Sequence, residues 1–403
     1  MKQEQIVIIG GGAAGFFAAI NVALLNPHYQ VTILEKGKTG LQKVKISGGG
    51  RCNITHANFE PVSLTENYPR GEKELLGPFH QFMTGDTMAW FEERGVALKI
   101  EEDGRIFPVS NSSQTIIDCF LKEAEALKIN VQYSQNVTNI EALNDCKGFE
   151  VTTKNATYTA NKLLIATGSS VKFWKLLENL GHTVIQPVPS LFTFNIQDDR
   201  IADIPGVVVQ NVHAVVANAN LHTEGPLLIT HVGLSGPAIL KLSAFGALEL
   251  AASAYNFDLE INFVKQSYEE CLNNLKELKQ QLAKKTVVKM AQMEVPKRLW
   301  RKLVLAANIL ETDKWADLNK GQLEKLASQL TKSVFQVTGK STFKDEFVTA
   351  GGVDLKEVNF RRFESRLFKN LFFAGEVLNI DAITGGYNFQ NAWTGAYIAA
   401  KSM

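Results

Sequence analysis

"IVIIGGGAAGFFAAINVALLNPHYQVTILEKG", residues 6–37, decides the fold. Ile6 to Ile9 form a continuous apolar run, the pattern of a parallel strand covered on both faces. Ala13 to Leu25 is helix-forming, Asn26-Pro27 ends it, and Val31 to Leu34 is the next strand. Gly10, Gly12 and Gly15 fall as G-x-G-x-x-G at the junction of strand and helix. Gly10 permits the tight turn, Gly12 lets backbone approach a pyrophosphate, and Gly15 lets helix and sheet pack closely. Ala13 and Ala14 open the helix, where free amides and the helix dipole suit phosphate. Glu35 ends the second strand, about 20 residues past Gly15, where a carboxylate accepts hydrogen bonds from a ribose. Lys36 follows it at the same edge. An acid there argues against a 2′-phosphate, and so against NADP in this cleft. Strand, helix, second strand and acid fall in one register, which predicts a dinucleotide-binding unit.

Composition bounds what surrounds that unit. At 403 residues the chain is too long for one ordinary core, so two or three domains are expected. Hydrophobic residues at 45% and charged residues at 21% describe a globular protein, not a disordered one. Lys and Arg number 42 against 41 Asp and Glu, a balance that gives no global field for nucleic acid but leaves a local basic patch open. Cys52, Cys119, Cys146 and Cys271 are scattered, which argues against a disulfide scaffold, a zinc site or a dithiol centre; no metal is expected. "MKQEQ" runs straight into a short apolar strand rather than a signal peptide. No stretch reaches the ~18 apolar residues of a membrane span. The expectation is a cytoplasmic protein without membrane contact.

Further along, "KLLIATG" (162–168) reads as a buried strand ending at a glycine. After about residue 190 the texture changes to short strands with turn punctuation. Residues 266 to 333 are rich in Lys, Leu, Glu and Gln with helical periodicity, and their lysines read as a solvated face. "NLFFAGEVL" (370–378) returns to a buried strand and "NFQNAWTGAYIAAKSM" closes as a helix. The expected organisation is a Rossmann-like α/β domain over 1–190 and 349–403. Between its parts lie a mostly-β insert (191–264, with a return strand at 334–348) and a helical subdomain (265–333).

NAD and FAD share the ADP half, so the first unit leaves both open. Three segments favour FAD: the opening glycines, Ala166-Thr167-Gly168, and "FFAGE…TGGYNFQNA" with Gly375, Glu376, Gly385, Gly386, Asn388 and Phe389. A helix opening near Asn388 can aim free amides at the flavin carbonyl edge. "KISGGGRCNITH" (45–56) fits neither helix nor strand, and its glycine run suggests backbone in close approach to a ligand.

"IVIIGGGAAG", "KVKISGGGRCNITH", "DGRIFPVS", "ITHVGLSGPAIL", "VTAGGVDLKEVN" and "FFAGEVLNIDAITGGYNFQNAWTGAYIA" together resemble the BaiN/YhiN-type flavoproteins of the glutathione-reductase-like FAD superfamily. The resemblance runs from end to end, poorest in the helical insert, and implies a two-part FAD domain, an inserted β domain and a helical cap; the cradle segments together predict non-covalent FAD. It implies the ADP half at Gly10–Gly15 and Glu35, adenine against Val137, and the flavin near Ser47, Gly48, Gly49, Arg51, Cys52 and Asn53. Arg51 would bring charge to phosphate or flavin, or else serve as a structural ion pair. Cys52, with no partner cysteine, reads as a packed side chain. Asn379 stands where the family usually has an acid, and Ala382 where it has a glycine.

Hydride transfer at the flavin to or from a small organic substrate is the expected chemistry. The family implies reduction of enone-type substrates or, in one branch, oxidation of a small aminoketone with release of peroxide. Candidate acids are Tyr387 and His231, and Lys45 is a candidate for oxygen activation. No second G-x-G-x-x-G unit follows, so NAD(P)H, where used, enters as a transient ligand. An FAD-binding RNA-associated protein is the alternative of another class, and nucleic acid is not the expected partner.

Overall fold

A computed structural model describes residues 3–143, 148–341 and 348–403; Cys146 lies outside them. The chain divides into two compact units, Met1–Val188 with Lys344–Met403, and Pro189–Phe343.

The first unit is built on β1 (Gln5–Ile9), α1 (Ala13–Leu25) and β2 (Gln30–Leu34). β1 is central in a parallel sheet, with Val7 facing Thr32 of β2 and Leu163 of the strand Lys162–Ile165. The parallel strands Leu371–Phe373 and Asn130–Gln132 extend it on either side. Two short antiparallel strands, Val358–Asn359 and Glu364–Ser365, finish one edge. Ile6 to Ile9 are all buried, as a doubly covered strand requires.

Burial of α1 is continuous from Ala14 to Ala23. Its one polar residue there, Asn21, is satisfied: it donates to the Phe17 carbonyl (2.7 Å) and accepts from Trp90 Nε1 (3.2 Å). Along α1 lies the C-terminal helix Tyr387–Ser402. Trp393 anchors this contact, with ring centroids 5.2 Å from Phe17 and 5.8 Å from Phe91 and Phe120, and its indole N–H donates to the Ile54 carbonyl (2.8 Å). Ile54 precedes Thr55–His56, which pairs antiparallel with Arg105–Pro108 and so brings the glycine-run segment to the same helix. A separate antiparallel meander spans Val137–Ala142, Phe149–Thr153 and Thr157–Ala160.

The second unit holds a seven-stranded sheet whose described pairings are all antiparallel. Helices Tyr268–Gln281, Lys297–Ala306 and Lys320–Thr331 close one apolar core with it, including Leu275, Trp300, Leu326, Ile261 and Phe335. The stretches expected as β insert and helical subdomain therefore share a single core. The return strand is Ser333–Thr338, paired with Asn256–Asn262; residues 342–347 of the expected 334–348 stretch lie outside the described residues. Among the described residues no helix is long and apolar enough to cross a membrane.

Candidate functional site

The three glycines of the opening turn have three different surroundings. A Cβ on Gly10, whose φ is +109°, would lie 2.3 Å from the Ala166 carbonyl oxygen. One on Gly15 would lie 1.9 Å from the Gly10 carbonyl oxygen. One on Gly12 would meet nothing within 4 Å. Gly10 and Gly15 are therefore required by the fold, whereas Gly12 borders open space at the helix start. No side chain caps α1 and no acid lies in its first turn, so the amides of Ala13, Ala14 and Gly15 face that space without a protein acceptor.

Glu35 stands at one side of this cradle, its carboxylate accepting the N–H groups of Gly11 (2.8 Å) and Gly37 (2.6 Å). Lys36 is exposed beside it. The Glu35 N–H donates to the Gln132 carbonyl (2.8 Å), and its carbonyl accepts from Gln135 (2.8 Å). That pairing leads into the strand begun by the buried Val137. On the other side lie Ala166, Thr167 and Gly168; the Thr167 hydroxyl is buried with no hydrogen-bond partner. Gly375 approaches Ala14 and Ala392, a Cβ there lying 3.5 and 3.7 Å from theirs. Glu376 accepts from Lys43 Nζ (2.6 Å), which also reaches the Ser169 hydroxyl (3.4 Å). Lys43 lies in α2 (Gln42–Gly50), so this ion pair joins the glycine-run segment to the turn that follows the strand Leu371–Phe373.

Within α2 the helix breaks at Ser47, and Gly48, Gly49 and Gly50 take φ of +57°, +67° and +82°. Cβ atoms on Gly49 or Gly50 would meet nothing within 4 Å, so this backbone also borders open space. The turn is closed by the Cys52 N–H donating to the Ser47 carbonyl (3.0 Å). Asn53 accepts from the Ile106 N–H (3.2 Å). Arg51 does not extend free charge into the cradle: its guanidinium pairs with Glu101 (2.6 Å) and lies 3.9 Å over the Phe107 ring. Cys52 is fully buried and burial pushes its thiol up to about 12, so the thiolate a nucleophile needs does not form.

The C-terminal segment completes the line. Gly386 packs on Thr55, where a Cβ would lie 2.7 Å from its backbone carbonyl, and caps the helix with φ +95°. The first turn of that helix has neither side-chain cap nor acid, so it too presents free amides. Asn388 exchanges two hydrogen bonds with Ala382 (3.1 and 3.2 Å) and closes the intervening loop rather than facing outward. Phe389 stacks on Trp393 at 5.4 Å. One turn further, Asn391 is fully buried with neither side-chain atom hydrogen-bonded.

Of the candidate catalytic residues, Tyr387 belongs to this neighbourhood. It is buried, its ring stacks on His56 (4.7 Å), and burial pushes its hydroxyl up to about 12. Gly385 accepts at 3.2 Å from the His56 ring, and Tyr68 donates to the Tyr387 carbonyl (2.6 Å). Lys45 is exposed on α2. His231 is exposed in the second unit, between the strands Leu221–Ile229 and Gly233–Ser235. Among the described residues no cluster of three His, Cys, Asp or Glu side chains is placed to hold a metal.

Lys43, His56, Tyr68 and the buried Arg70–Asp381 ion pair complete the site, and single-sequence motifs do not flag them. Asp381 lies two residues past Asn379, the position where the family usually has an acid.

Open backbone at Gly12 and Gly49–Gly50, two uncapped helix starts and the orphaned Thr167 hydroxyl suit a long anionic dinucleotide. Together with the family and relatives that follow, these features make the class an FAD-dependent oxidoreductase. More narrowly, the chain belongs to the HI0933-like protein Rossmann domain family, which matches residues 4–402. It is 30% identical over 417 residues to the ribosomal RNA dihydrouridine synthase of Escherichia coli (strain K12), covering 100% of this chain and 98% of that protein. It is 27% identical over 417 residues to the 3-dehydro-bile acid delta(4,6)-reductase of Clostridium scindens, covering 99% and 98%. Among solved structures, the 3-ketosteroid-delta4-(5alpha)-dehydrogenase of Rhodococcus jostii RHA1 superposes with TM-score 0.52 at 12% identity, over 99% of this chain and 96% of that one. An open flavocytochrome c3 fumarate reductase gives 0.51 at 16%, over 99% and 78%. These two share the fold.

Two outcomes check the cradle. Gly12→Val should leave the fold intact by circular dichroism and yield largely colourless protein; full flavin occupancy would place the pyrophosphate elsewhere. Glu35→Ala removes the acceptor of two backbone N–H groups and should raise the FAD dissociation constant more than tenfold, about 1.4 kcal/mol or more. An unchanged affinity, measured by flavin fluorescence on dilution, would reduce Glu35 to an edge residue.

Proposed function

We propose that this chain is a reductase that saturates a carbon–carbon double bond conjugated to a carbonyl, with the uracil ring of ribosomal RNA as its substrate. The observation that carries this reading is the chemistry shared by two full-length relatives of different substrate class. Dihydrouridine is uridine saturated at C5=C6, a bond conjugated to the C4 carbonyl. A 3-dehydro bile acid with unsaturation at positions 4 and 6 is likewise a conjugated ketone. Both named reactions add a hydride at the β-type carbon and a proton at the α-carbon, and the ring carbonyl holds the intervening charge. The preference for RNA rests on the higher identity to the dihydrouridine synthase.

Ala13–Gly15, Glu35 and the first turn of the C-terminal helix would hold FAD, which supplies the hydride when bound. Tyr387 would deliver the proton. Burial keeps its hydroxyl protonated through neutral pH, and the His56 stack and the Tyr68 hydrogen bond to its carbonyl fix ring and backbone. Near-neutral charge over the whole chain argued against a nucleic-acid partner, but that balance is an average over unlike parts.

To test this reading, anaerobically reduced protein is mixed with deproteinised ribosomal RNA or a conjugated dienone steroid, and oxidised protein is mixed with an amine in the presence of oxygen. Dihydrouridine in the nuclease digest, detected by mass spectrometry, is the expected result; turnover of the steroid or amine alone would overturn the RNA assignment. Tyr387→Phe should slow product formation about 10²-fold while flavin content and flavin reduction stay unchanged. An equal rate would remove Tyr387 from the chemistry. The described residues offer a single parallel dinucleotide-binding unit, so NAD(P)H is proposed to share the flavin face with substrate in turn. Parallel initial-rate plots are expected, and intersecting ones would rule the shared face out.

A further inference from the structure

We propose that the second unit carries a phosphate-binding face for RNA, built from segments 284–289 and 297–302 with Lys314; the choice of RNA rests on the function proposed above. Residues 266–333 contain 13 Lys and Arg against eight Asp and Glu, a net of +5, whereas the rest of the chain carries 29 against 33. A net positive excess is thus concentrated in one stretch.

The fold then gathers it. Thr286 bridges Lys314, the Trp315 N–H donates to the Lys285 carbonyl (3.0 Å), and the Val287 N–H donates to the Asp313 carbonyl (3.1 Å). Trp300 Nε1 donates to the Val287 carbonyl (2.9 Å), which docks the helix Lys297–Ala306 on the same segment. Lys289, Lys297, Arg298 and Arg301 line one shallow concavity with Val288 and Glu311.

Most of these cations are not neutralised. Arg301 pairs with Glu311, and Arg298 donates to the carbonyls of Asp203 and Pro205. Among the described residues, Lys284, Lys285, Lys289 and Lys297 have no carboxylate within ion-pair distance, and all four are exposed. Gathered like charges repel, and a polyanion relieves that repulsion while releasing its own counterions.

The chemistry around them selects the ligand. The apolar side of the helix, Leu299, Trp300, Leu303 and Val304, is fully buried in the unit's core and is not available to lipid. Trp300 and Trp315, the aromatic residues of these segments, are also buried, so no base stacks here. Such a face contacts the phosphate backbone and positions RNA without reading its sequence.

The test uses the full flavin-loaded chain and a fluorescein-labelled RNA hairpin, with binding followed by anisotropy over a salt series. The triple variant Lys285→Ala, Lys289→Ala, Lys297→Ala should bind roughly tenfold or more weakly, with the log–log salt slope reduced by about 2–3. The control Lys276→Ala, Lys320→Ala, Lys325→Ala lowers net charge equally and should keep the wild-type slope. Equal slopes in all three proteins, no RNA binding by the wild type, or preference for phosphatidylglycerol vesicles over the hairpin would each overturn the face. Loss of binding in the first triple variant, with no dihydrouridine made by the wild type, supports the face and sinks the proposed function. Wild-type KM for RNA in that variant does the reverse.

Discussion

Everything at the candidate site depends on how tightly the start of α1 is held. The Gly10 turn touches the Ala166 backbone, Gly15 touches the Gly10 carbonyl, and small residues at Ala14, Gly375 and Ala392 let the C-terminal segment close in. A helix so enclosed cannot shift to find acceptors for its first amides, and the sequence supplies neither a capping side chain nor an acid there. The positive end of the dipole is left facing open space above Gly12. An anion placed there completes hydrogen bonds that the fold leaves unmade.

The far end of the cradle is fixed by groups from opposite ends of the chain. Arg70 and Asp381 form a buried bidentate pair, Tyr68 holds the Tyr387 carbonyl, and Gln390 accepts from Thr55 (2.6 Å) and Thr87 (3.0 Å). A buried ion pair stabilises little by itself, because desolvation offsets most of the attraction. Its geometry, however, restricts the 379–386 loop to one path. Asn379 uses its side-chain oxygen to accept the Gly351 N–H (3.0 Å). An amide serves that contact as an acid would, which gives the departure from the family pattern a structural place. Ala382 is fully buried, and both its backbone groups bond to Asn388.

What the sequence made legible was local. The β1–α1–β2 unit declares itself because its turn, helix stop and terminal acid all lie within 32 residues and obey one geometry. The same holds for the strand ends at Gly168 and Gly375. Contacts between distant segments left no such trace. Lys43 meets Glu376 across 333 residues, and nothing in "LQKVKIS" marks which of its two lysines does so. The alternative of a structural ion pair for Arg51 describes its actual contacts, because Glu101 and Phe107 arrive beside it on another strand. Periodicity likewise distinguishes strands from helices in 191–333 but not which of them share a core, and here both close a single one.

Net charge shows the same limit. A total of +1 describes no region of this molecule: one stretch of 68 residues carries +5 and the remainder −4. Screening confines the influence of an exposed charge to about 8–10 Å at physiological ionic strength, so a ligand responds to the charges nearest it and not to the sum. Four unpaired lysines within two docked segments therefore count for more than forty-one acids spread over the whole chain. An argument from the total excludes a polyanion only if the charges are evenly mixed, and here the positive excess is concentrated in one stretch.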